Sequence, residues 1–368
     1  MIRYGFIGAG MMGQEHIRNL ALIEDAAIAA IADPDDDMRS KALALQGGTA
    51  RMFADYRDML SADLCDVYLI CSPNDAHHGA LLDALPSNKP VICEKPMCTT
   101  VDHCLDIVRL SRNRSAPLWI AMEYRYMPPV QALLSEVRAG TAGDPVMMTI
   151  REHRFPFLHK VGDWNRFSSR TGGTLVEKCC HFWDLMRLML NSDPVRVYAS
   201  GAMNVNHRDE RYGGRTPDII DNALVTIDFA SGARGMLDLC MFAEGSYWQE
   251  IISVTGARAR IDACVPGPSR FSRDGKERHA RLVIADRAAK EERARDIEVD
   301  HTILAAGDHH GSTYYQHQRF LDLVRSGKGE PEVSAMDGLW SVAIGAAAEE
   351  SARTGQAIPL SGFAEAMK

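Results

Sequence analysis

Ile2-Arg3-Tyr4-Gly5-Phe6-Ile7-Gly8-Ala9-Gly10-Met11-Met12-Gly13 decides the fold. A short apolar run ends in glycines spaced G-x-G-x-x-G. In that pattern Gly8 permits the tight turn out of a strand. Gly10, with no side chain, lets a pyrophosphate approach the backbone. Gly13 lets the next helix pack on the strand. That helix carries Ile17, Leu20 and Ala21 on its inner face, and its N-terminus attracts phosphate. A second apolar run, 27–32, ends in Asp33, 20 residues past Gly13. An acid there can take the hydroxyls of an adenosine ribose. Three glycines alone are a weak signal. Strand before, helix after and acid beyond make it a dinucleotide site, with Gly8, Gly10, Met11, Met12, Gly13 and Asp33 as cofactor contacts.

The chain's 368 residues allow two domains. A content of 46% hydrophobic and 24% charged residues is that of a globular protein. The net charge of −8 argues against a nucleic-acid or acidic-membrane partner. No run reaches membrane-spanning length, and no basic segment with an apolar leader precedes the first strand. The nine cysteines lie scattered, several in apolar runs (Cys71, Cys93, Cys240). They read as core residues in a reducing cytoplasm, without zinc-site spacing, so no metal is expected.

Residues 2–7, 27–32, 66–71, 90–93 and 118–122 read as strands with helical stretches between them, which predicts a doubly wound parallel sheet. Ligands bind such sheets at the strands' carboxyl ends. Those ends hold Ser72-Pro73-Asn74 with His77, then Glu94-Lys95-Pro96, then Glu123-Tyr124-Arg125. Ser72, Pro73, Asn74, His77, Glu94, Lys95, Glu123 and Arg125 are thus expected around the cofactor. Ser72-Pro73-Asn74 can equally turn the chain and cap a helix. Lys95 follows a buried-looking strand and precedes a proline, so it faces the crevice where a nicotinamide would lie.

The fingerprint, Ser72-Pro73-Asn74-x-x-His77 and Glu94-Lys95-Pro96 resemble the glucose–fructose oxidoreductase/inositol dehydrogenase (Gfo/Idh/MocA) family of sugar and polyol dehydrogenases. The resemblance covers essentially the whole chain, and Glu-Lys-Pro is its most specific mark. It implies that Lys95 sits beside the reacting carbon and the nicotinamide.

After Arg125 the rhythm changes. A helix is predicted over 130–139, then longer strands at 146–154, 195–203, 219–229, 233–242, 248–255 and 258–264. This predicts a mostly antiparallel open sheet with helices on one face, hence an NAD-binding Rossmann domain over 1–123 and an α+β substrate and oligomerisation domain over 124–368. Residues 204–218, 265–279 and 286–296 read as solvated loops. The resemblance implies pairing of subunits through the open sheet face, as a homodimer or homotetramer.

Gly172-Gly173-Thr174-Leu175-Val176-Glu177-Lys178-Cys179-Cys180-His181-Phe182-Trp183-Asp184 is the chemical centre of the second half. Helical spacing puts Glu177, His181 and Asp184 on one face of an otherwise apolar helix. A polar stripe there must find partners or open onto a cleft. The family's version is Gly-Gly-x-x-x-Asp-x-Gly-x-His-x-x-Asp. His181 and Asp184 match it; Glu177 replaces an Asp and Cys179 a Gly. Glu123 stands where an amide or other neutral residue is usual. Trp164-Asn165-Arg166 resembles a Trp-Arg element near the substrate, which makes Asp163, Trp164 and Arg166 candidate contacts beside Lys95, His181 and Asp184. His153, His309, His310 and Tyr314 are weaker candidates; Tyr314 reads equally as core packing with Phe320 and Leu321.

These residues imply an NAD-dependent oxidoreductase acting on a secondary alcohol of a sugar or cyclic polyol. His181 would take the proton, Glu177 would orient His181, and Lys95 would hold the reacting oxygen. Lys95 and His181 both remain open as first proton acceptor. Two alternatives stand: a redox-neutral NAD-using lyase or glycoside hydrolase, and a non-catalytic NAD-binding sensor.

Overall fold

The computed structural model describes residues 1–361 and 363; the other residues of the expected 124–368 span lie outside the description. Six short strands form the first sheet: β1 (Ile2–Ile7), β2 (Ala26–Ala32), β3 (Arg51–Phe53), β4 (Val67–Ile70), β5 (Val91–Cys93) and β6 (Leu118–Ile120). Their order is β3-β2-β1-β4-β5-β6, all parallel. The order reverses between β1 and β4, so a crevice opens beyond their carboxyl ends. These strands read as apolar runs because helices cover both faces: Phe6, Ile31, Leu69, Ile70 and Ile92 are fully buried.

The second sheet has nine strands: β7 (Pro145–His153), β8 (Pro194–Ala202), β9 (Asn222–Phe229), β10 (Arg234–Cys240), β11 (Trp248–Gly256), β12 (Ala259–Pro266), β13 (Ala280–Asp286), β14 (Glu291–Ile297) and β15 (Ile358–Pro359). Their order is β14-β13-β12-β11-β7-β10-β9-β8-β15. Only the β7–β10 pairing is parallel among those described. Residues alternate between faces. Ile150, Val225, Leu237, Ile252 and Ile261 point into a core shared with Phe182, Leu185 and Met186 of the helix Cys180–Leu190. The outer face leaves Met147, Tyr198, Leu224 and Met236 exposed.

One expectation needs correction. Residues 286–296 are not a loop: most of them belong to the hairpin β13–β14. β14 is an edge strand with six of its seven residues exposed, so Glu291-Glu292-Arg293-Ala294-Arg295-Asp296 has no apolar face to betray it. Later segments of the chain also pack on the first sheet. The Ile120 N–H donates to the Val333 carbonyl at 3.1 Å. Phe320 meets Trp119 edge-on at 6.0 Å, and Leu339 and Val342 of the helix Ala335–Thr354 join the first core. That helix starts on a Ser334–Asp337 capping box. It also packs on β8 and on Cys180–Leu190, so it binds the two sheets into one body.

Candidate functional site

The fingerprint turn has the geometry its glycines imply. Gly8 has φ +104°, and a Cβ there would strike the Ser72 nitrogen at 2.6 Å. A Cβ on Gly13 would lie 2.8 Å from the Gly8 carbonyl oxygen. A Cβ on Gly10 would meet no protein atom within 4 Å, yet Gly10 lines the cavity, so the side chain is missing where a ligand would press. That cavity, about 740 Å³, runs from Gly10, Met11, Met12 and Asp33 past Ser72, Pro73, Asn74 and His77 to Glu94, Lys95 and Trp164. The Ser72 hydroxyl and Asn74 amide nitrogen are buried there without a partner. A long, polar-ended cavity with unmet hydrogen bonds fits NAD.

Asp33 braces the turn. Its Oδ2 accepts the Ala9 N–H at 2.7 Å and its Oδ1 the Asp35 N–H at 2.9 Å. Arg39 reaches back to the Asp33 carbonyl, but its guanidinium is also paired with Asp36. His77 is fully buried between the Pro96 and Ser72 carbonyls, at 2.8 and 3.0 Å. Burial lowers its pKa, so the neutral ring donates to one of the two and fixes the loop.

Glu94 and Lys95 diverge at the end of β5. Glu94 is buried, with Oε1 2.9 Å from His16 Nε2. His16 Nδ1 in turn lies 2.8 Å from His317 Nε2. Lys95 faces the cavity and donates from Nζ to the Glu177 carbonyl at 3.3 Å. Burial opposes its charge, but Cys180, Glu94, Glu177 and Glu123 outweigh this and raise its pKa.

The motif carrying His181 departs from the expected single helix. One helix ends at Glu177 and the next begins at Cys180. At Cys179, with ψ −4°, the register breaks. Glu177 therefore does not orient His181: its Oε1 takes Lys160 Nζ at 3.0 Å, and its Oε2 is buried without a partner. His181 stacks instead on Tyr124, ring centroids 4.1 Å apart and nearly parallel at 10°. Its Nδ1 has no protein partner. Burial, then Lys95 and Lys178, hold its pKa well below the usual imidazole value.

Asp184 and Arg125 bind each other rather than ligands. Arg125 Nε and Nη2 lie 2.6 and 2.5 Å from the two Asp184 oxygens, and both residues are buried. The fork geometry satisfies both groups and ties the turn after β6 to the helix Cys180–Leu190. Arg166 is likewise engaged, with Nε 2.9 Å from Glu210. Burial pushes the Glu210 carboxyl up, but His207, Tyr212 and Arg166 hold it down at about 2. Asp163 lies 2.7 Å from His159. Trp164 does line the cavity, under the Lys160 ammonium at 4.4 Å from its centroid. His153 pairs with Asp238, and Tyr314 lines an outer groove with Tyr126 rather than the cleft or the core.

Sequence reasoning missed several residues here. Lys178 is buried, with Nζ 2.6 Å from Tyr124 Oη and 2.8 Å from Glu152. Tyr124 Oη donates to Glu250 at 3.2 Å, and burial with Glu152 nearby raises Glu250 to about 7. Glu152 and Glu250 face each other in register on β7 and β11. Two acids at inward-facing strand positions were the signal available. Among the described residues no three His, Cys, Asp or Glu side chains are grouped to hold a metal. No helix described is long and apolar enough to cross a membrane.

A Rossmann crevice whose cavity runs from the fingerprint glycines and Asp33 to Lys95, with His181 buried within reach of the Lys95 charge, defines a nicotinamide-dependent oxidoreductase. Residues 2–122 match the model of an oxidoreductase family, NAD-binding Rossmann fold, and residues 135–360 that of the same family's C-terminal alpha/beta domain. The chain therefore belongs to the Gfo/Idh/MocA oxidoreductase family, and its cofactor is NAD. It is 26% identical to myo-inositol 2-dehydrogenase of Thermotoga maritima over 98% of both chains. It is 30% identical to the uncharacterized oxidoreductase YrbE of Bacillus subtilis over 69% of this chain and 72% of that one. A solved oxidoreductase from Agrobacterium radiobacter, in complex with NAD+, L-tartaric acid and magnesium, superposes with a TM-score of 0.79 at 20% identity, over 98% of this chain and 99% of that one.

Proposed function

We propose that the protein oxidises a secondary alcohol of a sugar or cyclic polyol, or reduces the corresponding ketone, with Lys95 and His181 at the reacting centre. The observation that carries this reading is placement: Lys95 faces the cavity from the end of β5 and donates to the Glu177 carbonyl, four residues before His181, so the two groups are neighbours with opposed electrostatics. Lys95 is held charged and His181 neutral. Groups whose surroundings push their pKa values apart take separate acid and base roles. NAD, which the fingerprint turn and the Ser72–Asn74 loop would hold, would supply the hydride acceptor. His181 takes the hydroxyl proton on its imidazole, with Tyr124 stacked beneath the ring as it becomes cationic. Lys95 donates from Nζ to the same oxygen and favours the developing alkoxide. The ammonium is a poor base, so His181 is the proton acceptor. Glu177 holds Lys160 over Trp164 at the cavity wall. The similarity to a myo-inositol dehydrogenase supports a polyol substrate.

The test is NADH formation against a panel of inositols, hexoses, pentoses and aldonates. Turnover with at least one neutral polyol or sugar is expected, and NAD should be preferred over NADP. Asp33, Asp35, Asp36 and Asp37 crowd the place of a 2′-phosphate, and Arg39 is paired with Asp36. No turnover across the panel, or higher efficiency with NADP, contradicts the reading. Exposed Met147, Tyr198, Leu224 and Met236 on the outer sheet face support a homodimer or homotetramer, to be measured by sedimentation.

A further inference from the structure

Across Tyr124 from His181 lies a second histidine that this mechanism does not use. His309 Nδ1 lies 2.7 Å from Glu15 Oε1 and 3.4 Å from Glu123 Oε1. Thr313 Oγ1 donates to Glu123 Oε2 at 2.5 Å and lies 3.3 Å from Glu15 Oε1. Three distant pieces of chain meet here: the helix after the fingerprint, the turn after β6, and the segment before the helix Ser312–Ser326. The approach is tight enough that a Cβ on Gly307 would strike Glu15 Oε1 at 2.3 Å. His310, with φ +52°, and Gly311, with φ +80°, turn the chain just after His309.

Both acids are buried, whereas the His309 side chain keeps 24% of its surface exposed. With Nδ1 taken, Nε2 is the nitrogen left to meet a ligand. A carboxylate behind one imidazole nitrogen fixes both the orientation of the ring and the role of the other nitrogen. Burial opposes charge on His309 and Lys178 repels it, but Glu123 and Glu15 prevail and hold the imidazolium up to about 9. Its ring lies 6.3 Å from Tyr124, the ring on which His181 stacks at 4.1 Å. One tyrosine thus carries a neutral histidine and a charged one as neighbours. The cluster holds two acids against one imidazolium, so it does not suit a carboxylate or phosphate. It suits a neutral oxygen that accepts a hydrogen bond.

We propose that His309 is a specificity-determining residue: held by Glu15 and Glu123, its Nε2–H donates to a second substrate oxygen, on the carbon next to the reacting one. The site then takes vicinal diols, and α-hydroxy ketones in the reverse direction. The inference rests on the proposed roles of Lys95 and His181. It also gives a task to Glu123, buried at the end of the first sheet.

Two measurements test it. In the first, the His309 ring is titrated by NMR in histidine-labelled full-length protein. An ionisation near 9 is expected, falling towards the ordinary value in Glu123→Gln and Glu15→Gln. Titration of the wild type near or below the free-imidazole value of about 6.5 overturns the proposal without reference to turnover. In the second, kcat/KM is compared for the best alcohol of the panel and for its analogue deoxygenated at the neighbouring carbon. Losing a charge-assisted hydrogen bond should cost the wild type about 10- to 100-fold. In His309→Ala the same deletion should cost less than about 3-fold, because the hydrogen bond is already gone. His309→Gln, which keeps a donor and much of the volume, should lie between and serves if the alanine variant does not fold. An equal penalty in wild type and variant overturns the assignment. If no alcohol in the panel is oxidised, the proposed function fails and the substrate half of this inference fails with it.

Discussion

Around His181 the protein has gathered positive charge, with Lys95 and Lys178 its main sources. A base must be unprotonated to act, and positive neighbours make protonation harder. The acid limb of kcat/KM should therefore fall below about 6.5, the free imidazole value. Lys178→Met removes one of those charges, so His181 becomes easier to protonate and the limb moves to higher pH. A pH profile of both proteins checks this; an unmoved limb would mean that Lys178 serves packing alone. At this scale the sequence was uneven. The position of Lys95 on the cavity was legible because it stands in a distinctive motif at the end of a buried strand, and that of His181 near it because its motif is equally distinctive. Glu177 was misread because a continuous helix was assumed, and nothing in Glu-Lys-Cys-Cys-His announces the break at Cys179. Arg125, Asp184 and Arg166 looked like ligand contacts because a charged residue near a cleft is ambiguous until its partner is known. Glu15 was invisible, since its partner His309 is 294 residues away.

The fingerprint turn separates two jobs that its glycines share. Gly13→Ala should both destabilise the fold, by about 1–3 kcal/mol, and weaken NAD binding, because its Cβ meets the Gly8 backbone. Gly10→Ala should leave the melting temperature nearly unchanged and still weaken NAD binding, by about 10-fold or more, because its Cβ meets only cavity. Thermal unfolding and NAD titration of the two variants distinguish packing from ligand contact; equal destabilisation would refute the division. Elements were legible in proportion to how one-sided their environment is. The first sheet's strands are buried on both faces and read as apolar runs, and the helix-side core of the second sheet reads by alternation. β3 spans three residues and β14 faces solvent, so neither offers a pattern.

Across the whole molecule, the two sheets are joined by Arg125–Asp184 and by the helix Ala335–Thr354. Arg125→Ala leaves a buried carboxylate unpaired and should cost about 3–5 kcal/mol in denaturant unfolding. A loss below 1 kcal/mol would show that Asp184 finds another partner, with Arg187 nearby through Asp337. The central claim spans both domains as well: Lys95 comes from the first, His181 from the second, and the reaction needs both while NAD binding needs mainly the first. The direct measurement is turnover of the best panel alcohol, beside NAD affinity, in wild type, Lys95→Ala and His181→Ala, each checked for folding. Turnover should fall about 100- to 10,000-fold in each variant while NAD affinity stays within about 3-fold, and the double variant should be little worse than either single one. Near-normal turnover in the two single variants would contradict the account and remove both residues from the chemistry.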